Sequence, residues 1–199
     1  MYINRALNIV IDLVRGDGSK IYVHSVPISP EVFDAYYLVI SKTFETLYIE
    51  GLGRLAGGRV AAKLLRDVAR RNGAKALEDV EQGLMNEIKR LAVVIAPGVN
   101  GWETVTLHEA TTRKVIDAED FSSVENLLTF FTVLSSMHLR EERERILGSA
   151  LPLWSAQITS SSSTDFMSSL TTLTAGAPTA SAPPESAQPS TKAVSSAPF

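Results

Sequence analysis

Hydrophobic and polar positions alternate at the start of the chain and then recur at a three-to-four-residue spacing. Residues 5–14 place apolar side chains on one side and a mixed set on the other, a period of two. The turn Gly16-Asp17-Gly18 follows, and residues 20–26 form a second apolar stretch. This pattern predicts an N-terminal β-hairpin. Two strands alone are marginally stable, so the hairpin must pack on helices or pair with other strands.

Amphipathic helices are predicted from the apolar spacing after the hairpin. Ser29, Pro30 and Glu31 are typical of a helix start, and Gly51 of a helix end. An extended stretch and a helical turn, 102–107 and 108–114, separate the third helix from the fourth. The expected helices cover residues 29–50, 57–73, 75–95, 117–137 and 139–151.

The composition changes after Trp154. Residues 156–199 consist mostly of Ser, Thr, Ala and Pro, with charges at Asp165, Glu185 and Lys192 alone. Such a segment has too little apolar surface to form a core and is expected to be flexible. The fold class is therefore predicted to be mainly α with a small N-terminal β-hairpin (α+β). The expected parts are the hairpin at 1–28, a helical domain at 29–155 and a flexible tail at 156–199.

Charge and composition exclude several classes of protein. The net charge of −3 argues against broad binding to nucleic acid. The absence of cysteine excludes disulfides, thiolate metal sites and a cysteine nucleophile. Asp12 interrupts the first apolar run, and we expect neither a signal peptide nor a membrane span, which needs about 18 uninterrupted apolar residues.

No group of residues has the spacing of a catalytic, cofactor or metal site. His24, His108 and His138 are far apart in the sequence, and acidic pairs occur at helix starts or within a surface charge pattern. The glycine-rich stretch 51–59 lacks the Gly-Lys-Ser/Thr ending of a phosphate loop and favours a tight helix corner. We therefore predict that the chain is not an enzyme and has no cofactor and no metal.

A basic stripe on the second predicted helix has three interpretations. Its residues recur at helical spacing, and an acidic stretch follows at 78–87. The stripe can contact nucleic acid, bind an acidic partner, or pair with those acids on the next helix, and the mild net charge favours the last. The residues are Arg59, Lys63, Arg66 and Arg70.

Aromatic and apolar residues toward the end of the chain are the candidate partner contacts. Phe130 and Phe131 are adjacent and cannot share one helix face, so one is expected in the core and the other toward a partner or a second helix. Trp154, Phe166 and Leu170 are spaced like a short docking motif around the start of the tail.

Several stretches together resemble the lambda-type tail assembly chaperones of tailed phages (siphophages), in their short form. The resemblance runs from about residue 32 into the tail. The stretches are VISKTF (39–44), YIEGLG (48–53), GRVAA (58–62), GLMNEIKRL (83–91), GWETV (101–105) and LWSAQITS (153–160).

The resemblance implies a non-catalytic protein of the cytoplasm of the infected bacterial host that is absent from the mature virion. It would bind the tape-measure protein and help recruit tail-tube subunits, and a longer form made by frameshifting would continue the tail. The hairpin offers edges for a tail-tube strand or for self-association with a second copy. The alternative is a structural tail protein that stays in the virion.

Overall fold

A computed structural model describes residues 6–16 and 18–170 of the chain. The strands are β1 (Asn8–Val14), β2 (Lys20–Ser25), β3 (Ala92–Gly98), β4 (Gly101–Thr106) and β5 (Ala156–Thr159). The helices are α1 (Pro30–Ile49), α2 (Leu52–Leu55), α3 (Gly57–Arg71), α4 (Ala74–Asp79), α5 (Asn86–Arg90), α6 (Leu107–Thr112), α7 (Ala118–Met137), α8 (Arg140–Ala150) and α9 (Ser163–Ser169). A π-helical segment, Val80–Met85, joins α4 to α5, and a 3₁₀ turn, Leu151–Trp154, follows α8.

The strands form one antiparallel sheet in the order β4-β3-β2-β1-β5. The predicted fold class, with its small N-terminal hairpin, is therefore wrong: the hairpin is the centre of a five-stranded sheet. β1 pairs with β5 and β2 pairs with β3, so both outer edges of the hairpin are occupied. Those edges cannot take a tail-tube strand or a second copy without displacing a strand of the sheet.

Alternation gives the sheet two faces. Ile9, Ile11, Val23 and Val94 point toward the helices and are at most 1% exposed. On the opposite face, which we call the outer face, Tyr22 lies in register with Asp12 and Ile95. The period of two in residues 5–14 thus follows from the layer of helices on one side of the sheet.

The helices form the second layer, with α7 at its centre. Asp117 and Asp120 make a reciprocal capping box at its start, where the Asp120 N–H donates to Asp117 Oδ1 over 2.8 Å. α7 packs against α1, α3, α5, α8 and β1. Because neighbours surround α7, its residues are buried on more than one face.

The third predicted helix ends five residues early. The helix from Ala74 to Arg90 is continuous through the π-helical segment, and the chain then enters β3 at Ala92. Leu91 and Ile95 continue the helical spacing, which predicts helix to Ile95. The run Ala92–Ala96 is short and apolar, and such a run fits a buried strand equally well. Because this run pairs with β2, it forms a strand rather than the end of a helix.

Residues 156–170, which the composition assigns to the flexible tail, form β5 and α9. Ala156 and Ile158 lie opposite Ile11 and Ile9 of β1 on the inner face of the sheet. α9 then crosses the outer face and packs on β3 and β4. Sheet pairing and aromatic packing override a composition that alone indicates disorder. Residues 171–199, the rest of the predicted tail, lie outside the described residues.

Candidate partner-binding groove

Two cavities lie between α1 and α8, each of which packs on α7. The first is a cavity of about 480 Å³, lined by Phe33 and Tyr37 of α1 and by residues 139–143. The second is a cavity of about 400 Å³, lined by Tyr48 of α1 and by residues 146–153. The two cavities therefore lie at successive positions between the same helices. We call the pair, with its lining residues, the α1–α8 groove.

The α1 wall of the groove is aromatic. Phe33 and Tyr37, one helical turn apart, meet edge to face at a centroid distance of 5.7 Å, and the Phe44 and Tyr48 rings are 4.3 Å apart. Phe44 also packs edge-on to His138, a lining residue of the first cavity, at a centroid distance of 5.4 Å. Tyr37 and Tyr48 remain 49% and 53% exposed. Rings held by neighbouring rings form a preformed contact surface.

The rim of the groove is apolar and open to solvent. Leu139 and Leu153 line the two cavities and are 76% and 58% exposed. Ile49 and Leu55 do not line a cavity, but they follow the lining residues Tyr48 and Arg54 in sequence and are 75% and 81% exposed. Exposed large apolar side chains in and next to these cavities are typical of a protein-interaction site.

The floor of the groove comes from α7. Phe130 and Leu134 lie beneath the second cavity and are 1% and 2% exposed. Phe131 is also 1% exposed, so both members of the predicted phenylalanine pair are in the core and neither reaches outward. The reason is that α7 has neighbours on all sides, so adjacent residues point into different parts of the same core.

The other sequence-predicted contact residues divide between two faces of the molecule. Trp154 is half-buried beside the groove, edge-on to Phe130 at 6.4 Å. Phe166 packs on the outer face of the sheet, edge-on to Tyr22 at 5.4 Å, and Leu170 follows α9 on that side. The structure thus brings Phe130 and Trp154 together and places Phe166 and Leu170 elsewhere.

The charged residues that line the groove are arginines. Arg54 lines the second cavity, and Arg140 and Arg143 line the first. Arg143 Nε donates to the His138 carbonyl over 3.0 Å. Burial, with the Arg140 charge nearby, lowers the pKa of Arg143. Burial also lowers the pKa of His138, against the opposing effect of Glu142. The groove therefore combines an apolar surface with positive charge.

The structure also gives the surroundings of the histidines and of the basic stripe on α3. His24 is buried in the sheet and its Nε2 lies 2.9 Å from the Ser161 carbonyl oxygen. Among the described residues no cluster of three metal-ligating side chains occurs. Of the basic stripe, Arg66 pairs with Glu81 in the acidic stretch that follows, as predicted, and also with Glu125 of α7 at 2.8 Å. Arg70 pairs instead with Asp67 of its own helix. No helix in the described ranges is long and apolar enough to cross a membrane.

Sequence reasoning did not find the groove. Much of its surface comes from Tyr37, Tyr48, Leu139 and Leu153. The sequence pattern predicts helices for the first three of these residues and no role for Leu153. A signal was present in α1, whose apolar residues spread over too wide an arc for a single buried face. Comparison with protein-family models, curated proteins and solved structures returned no match.

Proposed function

We propose that this chain is a non-catalytic tail assembly chaperone of a tailed phage, which holds apolar helices of a tape-measure protein in the α1–α8 groove. The observation that carries the proposal is the open apolar groove with its exposed rim residues Tyr48, Leu139 and Leu153. A long partner that exposes apolar helices before assembly aggregates unless those faces are covered. The sequence resemblance supplies the identity of that partner.

The form of the groove suits a helix. Its two walls are helices, its floor is a third helix, and its apolar side chains are spread over several helical turns. An amphipathic helix docks in such a groove through residues at helical spacing. The recruitment of tail-tube subunits and the location in the host cytoplasm are taken over from the resemblance alone.

Co-expression with the tape-measure protein of the same phage tests the proposal. We expect the native chain to keep the tape-measure protein soluble and to co-purify with it. The double variant Tyr48→Glu, Leu153→Glu is expected to lose both effects, because charges enter the apolar groove at two sites that are already exposed and therefore cost little folding energy. An unchanged solubility of the tape-measure protein with and without the native chain rejects the proposal.

Val99→Glu is the matched control. Val99 is also a fully exposed apolar residue, but it lies in the turn between β3 and β4, outside the residues that line the groove. We expect this variant to behave like the native chain.

Mass spectrometry of purified particles separates the chaperone from the alternative, a structural tail protein: abundant peptides of this chain in the virion favour the structural protein.

A further inference from the structure

The charged residues that line the α1–α8 groove have one sign, although the chain as a whole is acidic. Arg54 lies at one end and Arg140 and Arg143 at the other, and no carboxylate lines either cavity. The net charge of the chain is −3. A groove with a single sign of charge and apolar walls attracts partners of the opposite sign.

None of the three lining arginines has a counter-charge within the described residues. Arg54, Arg140 and Arg143 form no ion pair there. Arg66 on α3, by contrast, pairs with two carboxylates. Arg143 is half-buried and uses Nε for the His138 carbonyl, which fixes the direction of its guanidinium. A guanidinium held in this way is suited to receive a carboxylate through its remaining N–H groups.

The length of the groove limits its occupant. From Arg140 to Leu153 the chain forms α8 and the 3₁₀ turn, a distance of about 20 Å at rises of about 1.5 Å and about 2.0 Å per residue. A helix of about 13 residues, close to four turns, covers that distance. Its two ends then lie near the arginines, with Tyr37 beside Arg140 and Arg143 in the first cavity and Tyr48 beside Arg54 in the second.

We infer that the occupant of the groove is an amphipathic helix of about four turns whose apolar stripe ends in carboxylates, which meet Arg140 and Arg143 at one end and Arg54 at the other. The inference rests on the proposed function in that the groove receives a helix, and it adds the chemistry by which one helix is selected over another. Apolar helices of similar length that lack these acids bind more weakly.

Binding of labelled synthetic peptides to the full-length chain tests the inference. Three peptides of about 16 residues share one apolar stripe and carry Glu, Gln or Lys at both ends. By fluorescence anisotropy we expect the Glu peptide to bind about tenfold more tightly than the Gln peptide, and the Lys peptide to bind most weakly. Raising NaCl from about 0.15 M to about 0.5 M should reduce the differences in affinity among the three peptides, because salt screens the charges. Equal affinities for the three peptides overturn the inference.

Variants locate the effect on the arginines. Arg140→Gln and Arg54→Gln, each alone, are expected to weaken binding of the Glu peptide, because its carboxylates lose an arginine partner. Binding of the Gln peptide should be unchanged, since it has no such carboxylates. Arg145→Gln, an exposed arginine of α8 that does not line either cavity, is the control. Loss of affinity for both peptides, or for neither, contradicts the assignment.

The outcome separates this inference from the proposed function. If the peptides show the expected order but the tape-measure protein neither co-purifies nor becomes soluble, the groove is an acidic-helix site and the chaperone proposal fails. If the tape-measure protein binds and the three peptides bind equally, the chaperone proposal stands and the charge selection is wrong. If no peptide binds, the groove is not a helix site and the inference fails.

Discussion

Two consecutive glycines at the start of α3 decide how closely the helices pack around the groove. A Cβ atom on Gly57 would lie 2.5 Å from the Phe130 ring, and one on Gly58 would lie 2.8 Å from the Trp154 ring. Real side chains do not approach this closely, so an added methyl group has to move the buried Phe130 ring or the half-buried Trp154 ring. Glycine is required here for space, whereas Gly148 in α8 has no atom within 4 Å of the equivalent position.

Gly57→Ala should therefore destabilise the chain by about 1–3 kcal/mol, because displacement of Phe130 outweighs the gain in helix propensity. Gly148→Ala should stabilise it by up to about 1 kcal/mol, since the propensity gain meets no steric cost. Urea unfolding followed by circular dichroism measures both. A Gly57→Ala variant as stable as Gly148→Ala would show that Phe130 has room to move.

At the scale of elements, a sequence predicts the elements whose signals lie within a few residues better than those that depend on pairing with a distant segment. The hairpin and the starts of α1 and α7 were predicted because their signals lie within a few residues: alternation, the Ser29-Pro30 start and the acidic start at Asp117. Two predictions are wrong: that residues 156–159 belong to a flexible tail, and that the third helix continues to residue 95. Both segments are strands because each pairs with a strand far away in sequence. The groove was missed for the same reason, since it exists only between packed helices.

Neighbouring residues of β5 provide a direct test of the element. Ile158 faces the helical layer and packs against the core, whereas Gln157 points to the opposite face and is exposed. Ile158→Ser is expected to lower the free energy of unfolding by about 1–2 kcal/mol through lost apolar burial. Gln157→Ser should change it by less than about 0.5 kcal/mol. Equal effects of the two substitutions, measured by thermal or urea unfolding, would indicate that this segment is not part of the sheet.

At the scale of the whole molecule, the sheet separates two surfaces. The α1–α8 groove belongs to the helical layer, and α9 lies across the outer face of the sheet, where Phe166 packs on Tyr22 and Thr104 Oγ1 donates to Met167 Sδ over 3.6 Å. The sheet lies between the groove and the point where the described chain ends at Leu170. A partner in the groove and any partner of the outer face therefore do not compete for the same side chains.

Hydrogen exchange with and without a bound acidic helix tests this arrangement. We expect slower amide exchange in α1, in α8 and in the 3₁₀ turn, because the bound helix covers them and reduces local opening. β4 and α9 should exchange at the same rate in both states, since they lie away from the groove. Protection confined to β4 and α9 would place the bound helix on the outer face of the sheet instead.

The pairing of β1 with β5 has a consequence for synthesis on the ribosome. β1 is the first of the described strands to be made and β5 the last, and all the helices of the inner layer are made between them. One edge of β1 therefore stays open while the rest of the domain emerges, and contacts this distant in sequence form slowly. The nascent chain carries an open edge on β1 until residue 159 is available, and an open strand edge during this interval exposes the protein to aggregation.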